Sequence, residues 1–262
     1  MAVILEGSRT FRLVPILEKL VPMINKRVLI IVPALNEGRA ILRLLREIQS
    51  FCPAASVIVI NDGSSDNTGE EAERAGASVV NLPFNLGIGG AVQTGFKIAD
   101  RLGFDAAVQI DGDAQHDPRY LDRILEPVLK GDLDLCIGTR FAGDDPGFKS
   151  TFTRRIGIRF FSFLLSGLTG VHLTDPTSGF RATGPRLIHA FAEYYPVDFP
   201  EPEAIQIARR LGARIGEVPV SMRKRLGGVS SIRLFKTFYY MVKVTLAIVI
   251  DTMKKHHRKD SL

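Results

Sequence analysis

Asp111-Gly112-Asp113 sets two carboxylates on either side of a glycine, directly after the apolar run 106–110. In an extended segment, residues two apart point to one side, so the pair is expected to converge. Hard oxygen ligands of this kind suit Mg²⁺ or Mn²⁺, which keep positions open for the oxygens of a diphosphate. A cation there would neutralise charge on a departing nucleotide diphosphate. Two more polar clusters follow apolar runs in the same way. Pro33-Ala34-Leu35-Asn36-Glu37 comes after 28–32, and Asn61-Asp62-Gly63-Ser64-Ser65-Asp66 after 57–60. Acids gathered in one crevice are costly unless cations or hydrogen-bond donors compensate them. Arginines supply such compensation and grip phosphate through two parallel hydrogen bonds. Arg140, after the run 133–137, is expected to face the crevice; Arg154, Arg155 and Arg159, then Arg223-Lys224-Arg225, lie downstream. His116 sits inside the acidic cluster and is assigned a bystander's place, since no histidine offers a better metal-ligand spacing than the two aspartates.

The elements that must position these groups alternate. Short aliphatic and β-branched runs at 28–32 and 57–60 read as buried strands, the first on both faces, 78–82 as a third, weaker strand, and 106–110 and 133–137 as a fourth and fifth. Between them, helices are predicted over 37–51, from Ser65 and Asp66 to Gly76, over 88–102, and from Asp117-Pro118 to about Lys130. This order predicts a mostly parallel sheet with helices on both faces, and ligands in such sheets bind beyond the carboxyl ends of the strands. All three polar clusters therefore share one edge. Gly87-Ile88-Gly89-Gly90 is a poor dinucleotide fingerprint because it follows the third strand; a helix start near the donor pocket is expected instead. After residue 139 the alternation fades. A helix at 154–168, a loop at 172–179, a helix at 202–211 and a strand at 214–220 are predicted.

Charge is unevenly spread along the 262 residues, whose net charge is +6. Residues 223–262 hold ten Lys or Arg against Asp251 and Asp260, so the basicity belongs to the tail and the remainder is slightly acidic. Ile232, Phe235, Tyr239, Val242, Leu246, Val249 and Met253 recur at steps of three and four, giving one apolar stripe. The most apolar part, 235–250, falls short of the roughly 20 residues a spanning helix needs, and Lys236 and Lys243 interrupt it. An interfacial amphipathic helix is expected, lying on anionic lipid or docked to a small membrane-protein partner, with no nucleic-acid partner. The division expected is an N-terminal extension (1–26), a catalytic domain (27–231) and this basic helix and tail (232–262). Cys52 and Cys136 show no CxxC spacing, which argues against a disulfide framework or zinc site and favours a reducing compartment.

The three motifs, in this order, resemble family 2 glycosyltransferases, and most of all the branch that holds dolichol-phosphate mannose synthase and bacterial polyprenyl-phosphate enzymes. Further likeness lies in Gly138-Thr139-Arg140-Phe141, in Asp175-Pro176-Thr177-Ser178-Gly179-Phe180-Arg181, and in Val218-Pro219-Val220 followed by Arg225 and Ser230-Ser231-Ile232. The resemblance runs from about residue 27 to 234. It implies an α/β fold, the GT-A nucleotide-binding sandwich, and an inverting transfer from a nucleotide-diphosphate sugar to a polyprenyl phosphate on the cytoplasmic face of a membrane. Carried over by position, it implies that Pro33, Leu35, Asn36, Glu37, Ile60 and Asp62 contact the nucleotide. Asp111, Gly112 and Asp113 would face the diphosphate, with Asp111, Asp113 and Gln115 holding Mg²⁺ or Mn²⁺. Arg140, Arg154, Arg155, Arg225 and Ser231 would grip donor or acceptor phosphates. The family position of Leu35 is often aromatic, so base stacking is expected to be weaker here. Glu201 and Glu203 lie where relatives place a base, and acids at a helix N-terminus are equally expected there.

Two other readings compete. Nucleotidyl transfer would place a glycine-rich loop with Lys or Arg after the first strand, where this chain has Pro33–Glu37. A non-enzymatic nucleotide-sugar binder would release no nucleotide diphosphate. Within glycosyl transfer, the alternative acceptor is a polysaccharide or other glycan, whose hydroxyl would need a general base.

Overall fold

The computed structural model describes residues 26–141, 162–163, 165–167, 170, 172–197 and 200–223. The expected extension (here 1–25), the tail from residue 232, and Arg154, Arg155, Arg225 and Ser231 lie outside the described residues.

The first half follows the predicted alternation: β1 (Val28–Ala34), α1 (Ile41–Phe51), β2 (Ser56–Asn61), α2 (Thr68–Arg74), β3 (Ser78–Asn81), α3 (Gly87–Arg101), β4 (Ala106–Gln109), a 3-10 turn (Pro118–Tyr120) leading into α4 (Leu121–Leu129), and β5 (Leu135–Thr139). All seven residues of β1 are buried, and its side chains alternate between two cores. Leu29 and Ile31 join one with Phe96, Phe191 and Ile205. Val28, Ile30 and Val32 join the other with Ile41, Leu44 and Ile124. A strand covered on both faces has no use for polar alternation, which is why it reads as an unbroken apolar run. α1 buries Ile41, Leu44, Leu45 and Ile48, the three-and-four spacing of one helix face. α3 crosses β1 at contact distance: a Cβ on Gly95 would lie 2.3 Å from Ile31 Cγ2, so only glycine fits.

The second half holds two elements the sequence reading lacks. β6 (Arg181–Thr183) and α5 (Pro185–Glu193) precede α6 (Pro200–Arg210) and β7 (Ile215–Pro219). The sheet order is β3-β2-β1-β4-β6-β5-β7. β6 runs antiparallel to both β4 and β5, and every other pairing is parallel. The reversal brings the start of β6, and the 172–180 loop before it, to the edge where β1, β2, β4 and β5 end. α5 then returns the chain to that edge, its Phe191 packing with Phe96 and Tyr195 at ring-centroid distances of 5.3, 5.3 and 5.2 Å within the trio. Both cysteine thiols are held protonated by burial, Cys136 being pushed up to about 12.

Candidate active site

The first two polar loops are stitched to each other. The Asn36 N–H donates to Ser64 Oγ (2.9 Å), and the Ser65 N–H donates back to Asn36 Oδ1 (2.8 Å). The Glu37 N–H donates to Thr68 Oγ1 (2.8 Å), and the Gly38 N–H to Asp66 Oδ2 (3.1 Å). Asp66 also takes the Thr68 N–H (3.0 Å). Burial would raise its pKa, but the Thr68 hydroxyl together with these N–H groups outweighs burial and holds the carboxyl below its ordinary value. This network places α2's first residue at Thr68, three residues later than predicted, and Asn36 adopts φ 56° to make it.

Asp62 is buried and takes the Leu86 N–H at 2.7 Å, which folds the loop after β3 over the site. Its carboxyl lies above the usual range because burial outweighs the N–H groups of Leu86 and Gly87. Leu35, expected to meet the base, stays 41% exposed. Ile60 does not match its expected role: its side chain is 0% exposed in the core beneath β2 and cannot touch a nucleotide. A helix does start at Gly87, and its second glycine has a packing reason: a Cβ on Gly89 would lie 2.1 Å from the Pro196 carbonyl.

The acidic loop docks on the first one. The Gly112 N–H donates to the Pro33 carbonyl (3.1 Å), and a Cβ on Gly112 would lie 3.0 Å from Ala34 Cβ. The alternation argument for Asp111 and Asp113 fails, because β4 ends at Gln109 and residues 112–113 form a turn. The loop sets the carboxylates instead. Asp113 is buried and takes the Gln115 N–H at 3.0 Å, across Ala114 at φ 57°. Asp111 has a side chain 36% exposed and is framed by Gln109 Nε2 (3.4 Å). Gly179 closes over it: a Cβ there would lie 3.0 and 3.1 Å from the two Asp111 oxygens.

His116 is no bystander. It is 2% exposed, stacks on Phe180 at 5.1 Å, and its Nδ1 accepts the Asp111 N–H at 3.1 Å. Its buried stacking partner, Phe180, lies 64 residues away, and nothing in their spacing announces the contact.

Arg140 also departs from expectation. Its side chain is 3% exposed, and Nε and Nη2 clamp Asp175 Oδ2 (2.5 Å) and Oδ1 (2.6 Å). Nη2 also reaches Thr177 Oγ1 (3.1 Å). The guanidinium expected to grip phosphate thus holds the 174–177 loop. Glu217 on β7 fixes that loop from below, taking the N–H groups of Thr174 (2.7 Å) and Asp175 (2.8 Å). Arg181 is a site residue that the sequence reading quoted without a role. It is buried, and three carbonyls accept from it: Ser178 (2.6 Å), Pro176 (2.7 Å) and Glu201 (2.7 Å). Glu201 lies in the first turn of α6. Burial raises its carboxyl pKa, Arg181 offsets part of that, and the negative charge of Asp111 adds to it. Among the described residues no three His, Cys, Asp or Glu side chains form a ready metal cluster.

A parallel sheet with one reversed strand, bearing interlocked polar loops on its carboxyl edge, is a nucleotide-binding architecture. Its solved likenesses include glucosyl-3-phosphoglycerate synthase from Mycobacterium tuberculosis in complex with Mn²⁺, uridine-diphosphate and phosphoglyceric acid. That structure aligns at TM-score 0.68 with 21% identity, covering 88% of this chain and 80% of that one; the shared fold is of the GT-A type. Residues 29–192 match the sequence profile of glycosyl transferase family 2, and the chain belongs to that family. Relatives include the UDP-N-acetylglucosamine–dolichyl-phosphate N-acetylglucosaminyltransferase of Methanococcus voltae, 28% identical over 87% of this chain and 100% of that one. The undecaprenyl-phosphate mannosyltransferase of Micrococcus luteus is 33% identical over 79% of this chain and 87% of that one.

Proposed function

We propose that this glycosyltransferase moves a sugar from a nucleotide-diphosphate donor to a polyprenyl phosphate, with inversion at the anomeric carbon. The carrying observation is the interlocked carboxyl edge, where the Pro33, Asp62 and Asp111–Asp113 loops hydrogen-bond to one another or to neighbouring backbone. Full-length relatives named for dolichyl-phosphate and undecaprenyl-phosphate transfer support the acceptor class.

In this reading Pro33, Leu35, Asn36, Glu37 and Asp62 frame the nucleotide, and Asp111, Gly112 and Asp113 face the diphosphate. The donor set fits a hard cation. Asp111, Asp113 and the Gln115 amide offer oxygens to Mg²⁺ or Mn²⁺, and diphosphate oxygens would complete the shell. When bound, such a cation supplies positive charge to the departing diphosphate. His116 holds the Asp111 peptide, Gly179 leaves room above its carboxylate, and Arg181 sets a buried positive charge on the Ser178, Pro176 and Glu201 carbonyls. Arg140 shapes the 174–177 loop through Asp175; Arg154 and Arg155 are assigned to the acceptor phosphate, and Arg225 and Ser231 to the donor or acceptor phosphates.

A phosphate acceptor is already anionic near neutral pH and needs no strong base. The second reading, a hydroxyl acceptor on a glycan, is favoured by one observation: the raised Glu201 carboxyl suits a general base. No helix among the described residues is long and apolar enough to cross a membrane. We assign the attachment, on the cytoplasmic face, to the basic stripe 232–262 and a lipid surface or small membrane-protein partner.

The test is transfer from a panel of nucleotide sugars, with Mn²⁺ or Mg²⁺, to a short polyprenyl phosphate and to the matching polyprenol. Product is expected with the phosphate alone, and Asp113→Ala is expected to abolish it while the protein stays folded. Equal use of the polyprenol refutes the acceptor assignment. Undiminished transfer in excess EDTA, or by a folded Asp113→Ala protein, refutes the metal assignment.

A further inference from the structure

Val220, Ser221, Met222 and Arg223 run alongside the acidic loop on its outer flank. The Val220 N–H donates to the Thr139 carbonyl (2.9 Å), Met222 forms an antiparallel bridge with His116, and the Arg223 N–H donates to the Gln115 carbonyl (2.8 Å). Tyr120 Oη bonds Ser221 Oγ at 3.0 Å. The Arg223 side chain then forks: Nη2 donates to Asp117 Oδ1 at 2.8 Å, and Nη1 to Glu47 on α1. Asp117 has a side chain only 1% exposed, and Arg223 is the less exposed of its two arginine partners, 25% against 61% for Arg119. The guanidinium therefore bolts the segment to the end of the acidic loop and to a helix at once.

What the bolt restrains is the backbone on both sides of the Gln115 Cα, through the N–H of one peptide and the carbonyl of the next. This backbone follows Ala114 at φ 57°, a conformation alanine avoids. Such a backbone persists only where its surroundings over-determine it. Here two bonds do so: the Gln115 N–H to Asp113 Oδ1, and the Gln115 carbonyl from the Arg223 N–H. A side-chain substitution at 223 leaves that N–H in place but removes its anchor.

We propose that Arg223 is a positioning residue for the cation and diphosphate site, acting through the Gln115 peptide to fix Asp113 and Gln115. The inference rests on the metal reading above. Arg223 touches neither carboxylate assigned to the cation, so it acts at one remove.

The experiment titrates Mn²⁺ in two ways, by direct binding read from the free-ion electron paramagnetic resonance signal and by transfer at saturating donor, for the full chain, Arg223→Ala, Arg223→Lys and Glu47→Gln, with a thermal melt of each. Arg223→Ala is expected to raise the half-saturating Mn²⁺ concentration about tenfold, the size seen when outer-shell partners of metal ligands are removed. Its kcat at saturating Mn²⁺ should return to within about threefold of wild type, since the ligands themselves remain. Arg223→Lys, a single point charge that cannot fork, is expected to fall between. Glu47→Gln loosens the same guanidinium from α1 and should move the constant in the same direction, which keeps the test open if Arg223→Ala does not fold. An unchanged Mn²⁺ constant in either folded variant overturns the proposal, whatever happens to the melting temperature. Wild-type transfer that ignores EDTA overturns the metal reading and this inference together, a result distinct from an unshifted constant in a metal-dependent enzyme.

Discussion

Removing Arg140 should destabilise the protein before it says anything about phosphate. The Arg140 side chain is 3% exposed and Asp175 0%, and two nitrogens of one meet two oxygens of the other. Arg140→Ala leaves a carboxylate in the interior whose partners on that loop and strand end are neutral donors, the Thr177 hydroxyl and the N–H of residue 140. Breaking one side of such a buried pair costs about 3–5 kcal/mol. At roughly 2–4 °C per kcal/mol for a chain of this size, the melting temperature should fall by about 6–20 °C. Asp175→Leu should do comparable damage by orphaning the guanidinium. Arg140→Met with Asp175→Leu removes both charges and should recover most of the loss, because apolar replacement of a whole buried pair is often neutral. The assay is a double-mutant cycle of urea unfolding, which isolates the coupling, run beside the KM for polyprenyl phosphate. If Arg140→Ala unfolds like wild type while its acceptor KM rises, the ion-pair reasoning is wrong and the guanidinium serves the acceptor directly.

Gly179→Ala should keep the fold but lower kcat about tenfold, because the new methyl meets both Asp111 oxygens at 3.0–3.1 Å and small misplacements near reacting groups cost up to about a hundredfold; wild-type kcat would show that Asp111 yields without consequence. Glu201→Gln should stabilise the protein at pH 8 but not at pH 4. The folded carboxyl titrates above its unfolded value, so its contribution to stability is full below about 4.3 and is lost as pH rises through the raised folded value. Melts that show no gain at pH 8 contradict this. The same variant should retain transfer to polyprenyl phosphate, and loss of transfer with an intact fold would favour the hydroxyl-acceptor reading.

The parallel half was legible because β1, β2 and β4 are covered on both faces, and that demand writes itself into the sequence as unbroken apolar runs. The clustering of the polar loops on one edge followed from strand direction alone. β6 was not legible: Arg-Ala-Thr is short, and its burial comes from its two neighbours rather than from any period of its own. α5 had a usable signal, with Gly184-Pro185 at its start and Leu187, Ile188, Phe191 and Ala192 on one face. Side-chain pairing was the least readable level. Arg140 looked like a phosphate ligand because its type and strand-end position were visible, whereas Asp175 lies 35 residues away. His116 was undervalued for the same reason, since its role depends on a backbone N–H five residues back.

The reversed strand also sets the order in which the polypeptide can be assembled as it is made. β5 does not pair with β4; β6 lies between them and pairs with both. The strands through β4 can pair among themselves, but β4's outer edge stays open until Arg181–Thr183 has been synthesised. At about 5–20 residues per second, that interval lasts about 4–15 s. An unpaired edge is a template for pairing with other chains. The closing strand also delivers Gly179 and Arg181 to Asp111. Sheet closure and site completion are thus one event, and a chain stalled before residue 183 presents a sticky edge rather than a partly active enzyme.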